Sequence, residues 1–186
     1  VDMRCPDCGR EVERLKEQSY FFALSKYGER LKAHIEANPA FISPVAKKNE
    51  VLAFISEGLR DLSVSRTTFT WGVPVPGDAK HIMYVWIEAL TNYLTAAGYP
   101  GEEYLRYWGE PNNGTEREVV HVIGKDILRF HSVFWPAFLL SAGVPLPTTV
   151  FAHGWWTVDG KKMSKSTGNV VDPFAGSYCM ESMTDE

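Results

Sequence analysis

Two stretches near the start of the chain carry apolar residues at helical spacing. In the first, every third or fourth position is apolar, at Leu24, Tyr27, Leu31 and Ile35. This spacing predicts an amphipathic helix over 25–37. Pro39 follows soon after, and proline cannot continue a helix. Because only one face of this helix is apolar, we expect the helix to dock on a core.

The second stretch is bounded by helix start and stop signals. Ser43-Pro44 predicts an N-cap followed by proline at the first helical position. Gly58 predicts a C-cap after a helix over 45–57. The two stretches together predict a helix hairpin that covers a core.

From about residue 67 the pattern changes to short apolar runs, most of them followed by a helical segment. The runs at 81–85, 117–123 and 148–152 predict strands, and the segments at 87–97 and 127–142 predict the intervening helices. Strands that alternate with helices are typical of a parallel α/β sheet. Ligands of such sheets lie beyond the carboxyl ends of the strands. The candidate positions are therefore Trp86 onward, 124–126, and His153-Gly154 onward.

A hairpin is predicted just after the third strand. Asp159-Gly160 suits a type I′ turn, which would present Lys161 and Lys162 beside the end of that strand.

Composition narrows the class of protein. With 186 residues, 45% of them hydrophobic, the chain can bury a sizeable core. Its net charge of -4 excludes a bulk basic field for nucleic acid, so any contact with nucleic acid has to be local. The three cysteines form no even disulfide framework, and no leader pattern opens the chain, which favours a cytoplasmic protein. No apolar run approaches the roughly 18 residues of a membrane span.

The string after the hairpin is the most specific motif. Lys162-Met163-Ser164-Lys165-Ser166 resembles the lysine signature loop of class I aminoacyl-tRNA synthetases. Two ammonium groups three residues apart can stabilise the negative charge that shifts toward pyrophosphate when a carboxylate attacks the α-phosphate of ATP. The alternative interpretation is a solvated basic turn.

Three further segments resemble the methionyl-tRNA synthetases in particular, and the resemblance covers about residues 5–175. They are Val85-Trp86-Ile87-Glu88-Ala89-Leu90-Thr91-Asn92-Tyr93, His121-Val122-Ile123-Gly124-Lys125-Asp126-Ile127 and His131-Ser132-Val133-Phe134-Trp135-Pro136.

The resemblance implies a set of site residues. Those that match the family's methionine pocket are Trp86, Ala89, Leu90, Tyr93, Ile127, His131 and Trp135. An aromatic pocket suits methionine, whose thioether is polarizable. Asp126 matches the acidic residue near the substrate amine and the ATP ribose. Gly124, His153, Gly154 and Lys165 match the ATP site, and Lys162 and Lys165 match the catalytic lysines.

Each assignment has a purely structural alternative. Without the resemblance, Trp86, Tyr93 and Trp135 would be interpreted as core residues. His131 would be interpreted as a hydrogen-bonded core histidine, and Asp126 as a helix N-cap.

Cys5-Pro6-Asp7-Cys8 resembles half of the zinc knuckle in the connective segment of these enzymes. Tetrahedral structural zinc needs four ligands, usually in two pairs, and one Cys-x-x-Cys pair is present. We therefore expect Cys5 and Cys8 to form a half site that binds zinc weakly; redox chemistry or chance is the alternative.

The resemblance implies a division of the chain. Residues 1–18 correspond to the remnant of the zinc knuckle, 19–66 to a connective helix hairpin, 67–175 to the second half of a Rossmann-like catalytic domain, and 176–186 to a divergent tail. The other family signature, His-x-Gly-His, is absent from the sequence. The expected parent uses ATP with Mg²⁺ to activate methionine and transfers it to tRNA(Met), whereas the isolated chain is expected to be inactive.

Two other functions compete with this interpretation. One is a different class I synthetase, which the residues around Trp86 and His131 disfavour. The other is a non-catalytic module that binds RNA or protein through the cysteine pair and the helix hairpin.

Overall fold

The computed structural model describes residues 17–109, 117–158 and 161–163, together with the isolated positions 4 and 11. In chain order, the strands are β1 Phe21–Phe22, β2 Ile42–Ser43, β3 Leu62–Ser63, β4 Ser65–Arg66, β5 Pro74–Val75, β6 Asp78–Met83, β7 Val120–Gly124, β8 Thr149–His153, β9 Thr157–Val158 and β10 Lys161–Lys162. The α-helices are α1 Gly28–Ala37, α2 Val45–Ser56, α3 Val85–Ala96, α4 Glu102–Tyr107 and α5 Trp135–Ala142. Short 3₁₀ turns span Leu24–Tyr27 and Lys125–Ile127, and a π-helical turn spans Phe130–Phe134.

A parallel sheet with the order β2-β8-β7 forms the centre of the fold. Its register pairs His121 with Val150 and Gly124 with His153, so the carboxyl ends of β7 and β8 lie side by side. Since helices connect the strands on one side, the α/β class predicted from the sequence is confirmed.

The two faces of this sheet differ in exposure. Side chains on one face, including those of Ile123 and Val150, are buried under helices. On the other face Val120, Val122 and Phe151 are 44%, 68% and 42% exposed. Parallel sheets are normally covered on both faces, so this apolar face stands out among the described residues.

The first two predicted helices are confirmed and pack on the sheet. Leu31 and Ile35 of α1 and Val51 of α2 share one core with Ile123 and Val150. Full burial of each such side chain contributes about 1.5–3 kcal/mol.

The prediction that Ser43 is the N-cap of α2 is wrong by one residue. Ser43 pairs with Phe151 of β8 as part of β2, and Pro44, with φ -74° and ψ 169°, occupies the cap position. Pairing within the sheet holds Ser43 in β2, while the helix begins at Val45, where the sequence predicted it.

The first predicted strand forms, but in a different sheet. β6 lies between β4 and β5 in an antiparallel sheet, with Ser65 opposite Met83 and Pro74 opposite Ile82. The expectation that residues 81–85 belong to the parallel sheet is therefore wrong. The residue pattern of a strand does not specify which strand it pairs with. The β4 and β5 segments are nearer to β6 in the chain than the strands of the parallel sheet are.

A second core lies beside the first, between α3, α4 and α5. Its buried members are Leu90, Leu94, Tyr104, Trp108, Trp135, Leu139 and Val144. Helix α5 ends at Gly143, whose φ of +68° is the left-handed cap conformation that glycine adopts without strain. This second core joins the segments that carry most of the predicted pocket residues.

The predicted division at residues 66 and 67 stays a prediction. Pairing of β4 with β6 crosses it, because Arg66 lies opposite Ile82.

Candidate active site

The carboxyl ends of β7 and β8 form an open backbone edge. Gly124 and His153 are register partners there, and His153 Nδ1–H donates to the Gly154 carbonyl oxygen at 2.7 Å. A Cβ atom at Gly124 would lie 3.9 Å from His153 Cε1, an ordinary contact, and one at Gly154 would meet no described atom within 4 Å. The described residues therefore leave room at this edge.

Asp126 lies beside this edge, in the 3₁₀ turn after β7, with an exposed side chain. Its Oδ2 accepts a hydrogen bond from Trp155 Nε1–H at 2.7 Å. Lys125 Nζ lies 3.5 Å from the centroid of the Trp155 ring, a cation–π contact. The interpretation of Asp126 as an N-cap is wrong, because Gly124 holds that position and the turn has no side-chain capping bond.

An aromatic wall lies next to this edge, formed by Trp86, Tyr93, His131 and Trp135, four of the residues that the sequence singled out. His131 Nδ1 lies 3.0 Å from the Ile127 carbonyl oxygen, which can only accept, so Nδ1 carries a proton. His131 Nε2 lies 2.7 Å from Tyr93 Oη. Burial lowers the pKa of His131 and raises that of Tyr93. Both groups are therefore neutral near pH 7, and Tyr93 O–H donates to Nε2.

Trp86 closes one end of the wall by stacking on Phe130, with ring centroids 3.7 Å apart and planes 20° apart. Both rings are half-buried. The sequence did not single out Phe130, although it lies one residue before His131.

The other predicted pocket residues have different surroundings. Leu90 is 1% exposed within the second core, whereas Ala89 is exposed. Ile127 packs against the first core and supplies the carbonyl that orients His131. These positions place Leu90 behind the wall.

The π-helical turn Phe130–Phe134 carries His131 and lies directly before Trp135. Pro136 explains the change of helix type, because in a regular α-helix its ring would clash with the carbonyl of Ser132. The segment 127–142 is helical throughout, as the sequence predicted, but its geometry changes to a π-helix over residues 130–134. π-helical turns are frequent at functional sites.

His121 and Trp108, which the sequence did not single out as pocket residues, lie behind the wall. Trp135 Nε1–H donates to His121 Nε2 at 3.2 Å, and Trp108 Nε1–H donates to the Pro145 carbonyl oxygen at 2.9 Å. Burial, and to a lesser extent charge on His131, lowers the pKa of His121 to about 4. The apolar neighbours of His121 in the strand were the signal that could have identified it as buried.

The predicted catalytic and metal residues lie mostly outside the described part of the chain. Lys162 is in β10, opposite Thr157 of β9, so the predicted hairpin is confirmed for its strands. Lys165, Cys5 and Cys8 lie outside the described residues. Within the described residues, no three His, Cys, Asp or Glu side chains are grouped closely enough to hold a metal ion.

An α/β fold with a parallel sheet and a cluster of aromatic side chains near the carboxyl ends of its strands is the class that these observations define. The family model described as tRNA synthetases class I (M) matches residues 1–184. The chain therefore belongs to this family of class I tRNA synthetases.

Individual relatives agree with the family. The methionine–tRNA ligase of Fusobacterium nucleatum is 54% identical over 173 residues, which cover 92% of this chain and 26% of that protein. The methionine–tRNA ligase of Mesorhizobium japonicum is 58% identical over 169 residues, 90% of this chain and 31% of that protein. The chain thus spans about a quarter to a third of these curated relatives.

Solved structures agree with the fold as well. The Mycobacterium tuberculosis methionyl-tRNA synthetase bound by methionyl-adenylate superposes with a TM-score of 0.79 at 52% identity. The match covers 94% of this chain and 33% of that chain. Within the described residues, none of the helices has the length and apolar character to cross a bilayer.

Proposed function

We propose that this chain supplies the amino-acid pocket and part of the ATP site of a methionine–tRNA ligase. The observation that carries the proposal is the aromatic wall of Trp86, Tyr93, His131 and Trp135 next to the carboxyl ends of β7 and β8. A related structure with this fold, 52% identical, is bound by methionyl-adenylate.

The wall recognises the side chain of methionine. Trp86 is half-buried and offers ring surface to a flexible thioether, whose sulfur interacts favourably with aromatic rings. Trp135, which is 2% exposed, supports this wall through its ring contact with Tyr93. The Tyr93–His131 pair is neutral and satisfied by its own hydrogen bonds, so it adds polar atoms without placing a charge next to an apolar ligand. Ala89, Leu90 and Ile127 shape the rest of the pocket.

ATP binds at the open edge of the sheet. Gly124, His153 and Gly154 accommodate the adenosine, and Asp126 lies where a carboxylate can bind the substrate amine and the ribose hydroxyls. Mg²⁺ accompanies the ATP phosphates.

Activation is a displacement at the α-phosphorus. A carboxylate oxygen of methionine forms a bond to that phosphorus, the bond to the bridging oxygen of the β-phosphate breaks, and pyrophosphate leaves with the electron pair. Lys162 and Lys165 stabilise the charge that develops on the pyrophosphate. In the longer protein, the methionyl group then passes from the adenylate to tRNA(Met). Zinc, held through Cys5 and Cys8 with ligands from elsewhere, would be structural.

The exposed face of the sheet fits a role within a longer protein. Val120, Val122 and Phe151 present apolar surface that another part of a full-length ligase covers.

The test is methionine-dependent exchange of labelled pyrophosphate into ATP. The protein is a chimera in which this chain replaces the matching 173 residues of the F. nucleatum relative. Trp86→Ala should raise the KM for methionine, and Lys165→Ala should lower kcat by roughly 10²–10³-fold with little change in that KM.

Matched controls are Trp71→Ala and Lys80→Ala, since both side chains are exposed, Trp71 in the segment before β5 and Lys80 on β6. A folded chimera without methionine-dependent exchange would contradict the proposal. So would a Lys165→Ala variant in which only the affinity for methionine changes.

A further inference from the structure

His121 contacts the aromatic wall from behind. It lies on β7, on the buried face of the parallel sheet, and is 6% exposed. Its ring centroid lies 4.4 Å from that of Tyr93 and 5.6 Å from that of His131. One imidazole therefore contacts residues from two of the segments that form the wall.

The hydrogen bond between Trp135 and His121 has only one possible direction. An indole N–H can only donate, so His121 Nε2 must be unprotonated and accept, at 3.2 Å. Burial keeps the imidazole neutral at pH 7. The ring proton of His121 is consequently on Nδ1. The acceptor that sets the orientation of the Trp135 indole thus comes from the sheet and not from its own helix.

Trp108 packs against both partners of this bond. Its ring centroid lies 5.7 Å from that of His121 and 6.2 Å from that of Trp135. The bond from its own indole to the Pro145 carbonyl holds Trp108 in place. Rotation of the Trp135 indole would therefore break a buried hydrogen bond and meet a fixed ring.

We propose that His121 is a positioning residue of the methionine pocket, which acts by accepting the Trp135 indole N–H and so fixing the plane of that ring in the wall. This inference rests on the proposed function, because it assigns the wall to methionine. This role requires a hydrogen-bond acceptor as far from the backbone as Nε2 of His121. A polar side chain of a different length therefore does not replace His121.

Two amide substitutions separate this role from general packing. In His121→Gln the amide lies about as far from the backbone as Nε2, whereas in His121→Asn it lies nearer, at the reach of Nδ1. Both variants remove the imidazole and retain a polar, non-titrating side chain. A difference between them therefore reports the acceptor position.

The first readout is the indole ¹H–¹⁵N resonance of Trp135 in this chain, assigned with Trp135→Phe. The hydrogen bond should shift the indole proton downfield and protect it from exchange with solvent. Both features should persist in His121→Gln and be lost in His121→Asn. The 87% exposed Trp71 provides an unbonded reference resonance.

The second readout is pyrophosphate exchange by the chimera. His121→Asn should raise the KM for methionine by about tenfold, the effect of losing one buried hydrogen bond, with kcat and the KM for ATP nearly unchanged. His121→Gln should stay within about twofold of the unmodified chimera.

Equal effects of the two substitutions, or an indole resonance that neither changes, would overturn the positioning role and leave the proposed function intact. A folded chimera without methionine-dependent exchange would instead refute the proposed function and, with it, a role for His121 in methionine binding.

Discussion

Acid should destabilise this chain through its buried imidazoles, and His121 allows the size of its share to be worked out. Its pKa falls from 6.5 to about 4, first because of burial and second because of charge on His131. Each pKa unit corresponds to about 1.4 kcal/mol, so the shift corresponds to about 3 kcal/mol. Folded domains commonly have a free energy of unfolding of only about 5–15 kcal/mol, so the contribution of His121 is a large share of that stability.

The sign of this pH dependence follows because the pKa of His121 is lower in the folded chain than in the unfolded chain. Between pH 6.5 and about 4 the unfolded chain is protonated at His121 while the folded chain is not. The stabilisation is therefore fully present above pH 6.5 and is lost as the pH falls through this window. The lowered pKa values of His34 and His131, both caused mainly by burial, act in the same direction.

The assay is urea denaturation of this chain at about pH 7 and about pH 4, to obtain the free energy of unfolding at each. Because an amide does not titrate, His121→Gln should lose less stability on acidification than the unmodified chain, by up to about 3 kcal/mol. His153→Gln, at the half-buried carboxyl end of β8, is the matched control for replacing an imidazole by an amide and should follow the unmodified chain. Equal losses in His121→Gln and the unmodified chain would refute the reasoning.

Three further predictions follow from the site. Tyr93→Phe removes the donor to His131 Nε2 and should lower the free energy of unfolding by about 1 kcal/mol, measured by urea denaturation, and weaken methionine binding; an unchanged stability would contradict the hydrogen bond. Gly124→Ala should fold with an unchanged Tm, because the new methyl group makes an ordinary contact at a φ of -69°, yet raise the KM for ATP in the chimera; an unchanged KM would remove Gly124 from the ATP site. The purified chain alone should show no methionine-dependent pyrophosphate exchange, because the His-x-Gly-His signature is absent from its sequence; exchange above that of a Lys162/Lys165 double-alanine variant would show that these residues contain a complete site.

The sequence by itself determined the first two helices and the class of fold. Residues 25–37 and 45–57 combine apolar residues with local start or stop signals such as Pro39 and Gly58. Helical hydrogen bonds join residues four apart, so a short window holds the information needed. The motifs likewise identified Trp86, Tyr93, His131 and Trp135, which the structure brings together in one wall.

Only the tertiary structure decided which strands pair and which polar groups meet. The pattern at 81–85 predicts a strand but does not say that its partners are β4 and β5, and Ser43 has the signature of a cap although it lies in a sheet. His121 is 14 residues from Trp135 and 28 from Tyr93, and no spacing rule connects them. Hydrogen bonds and ring contacts between distant segments depend on how the elements pack in three dimensions, and this packing decides that a strand histidine orients a helix tryptophan.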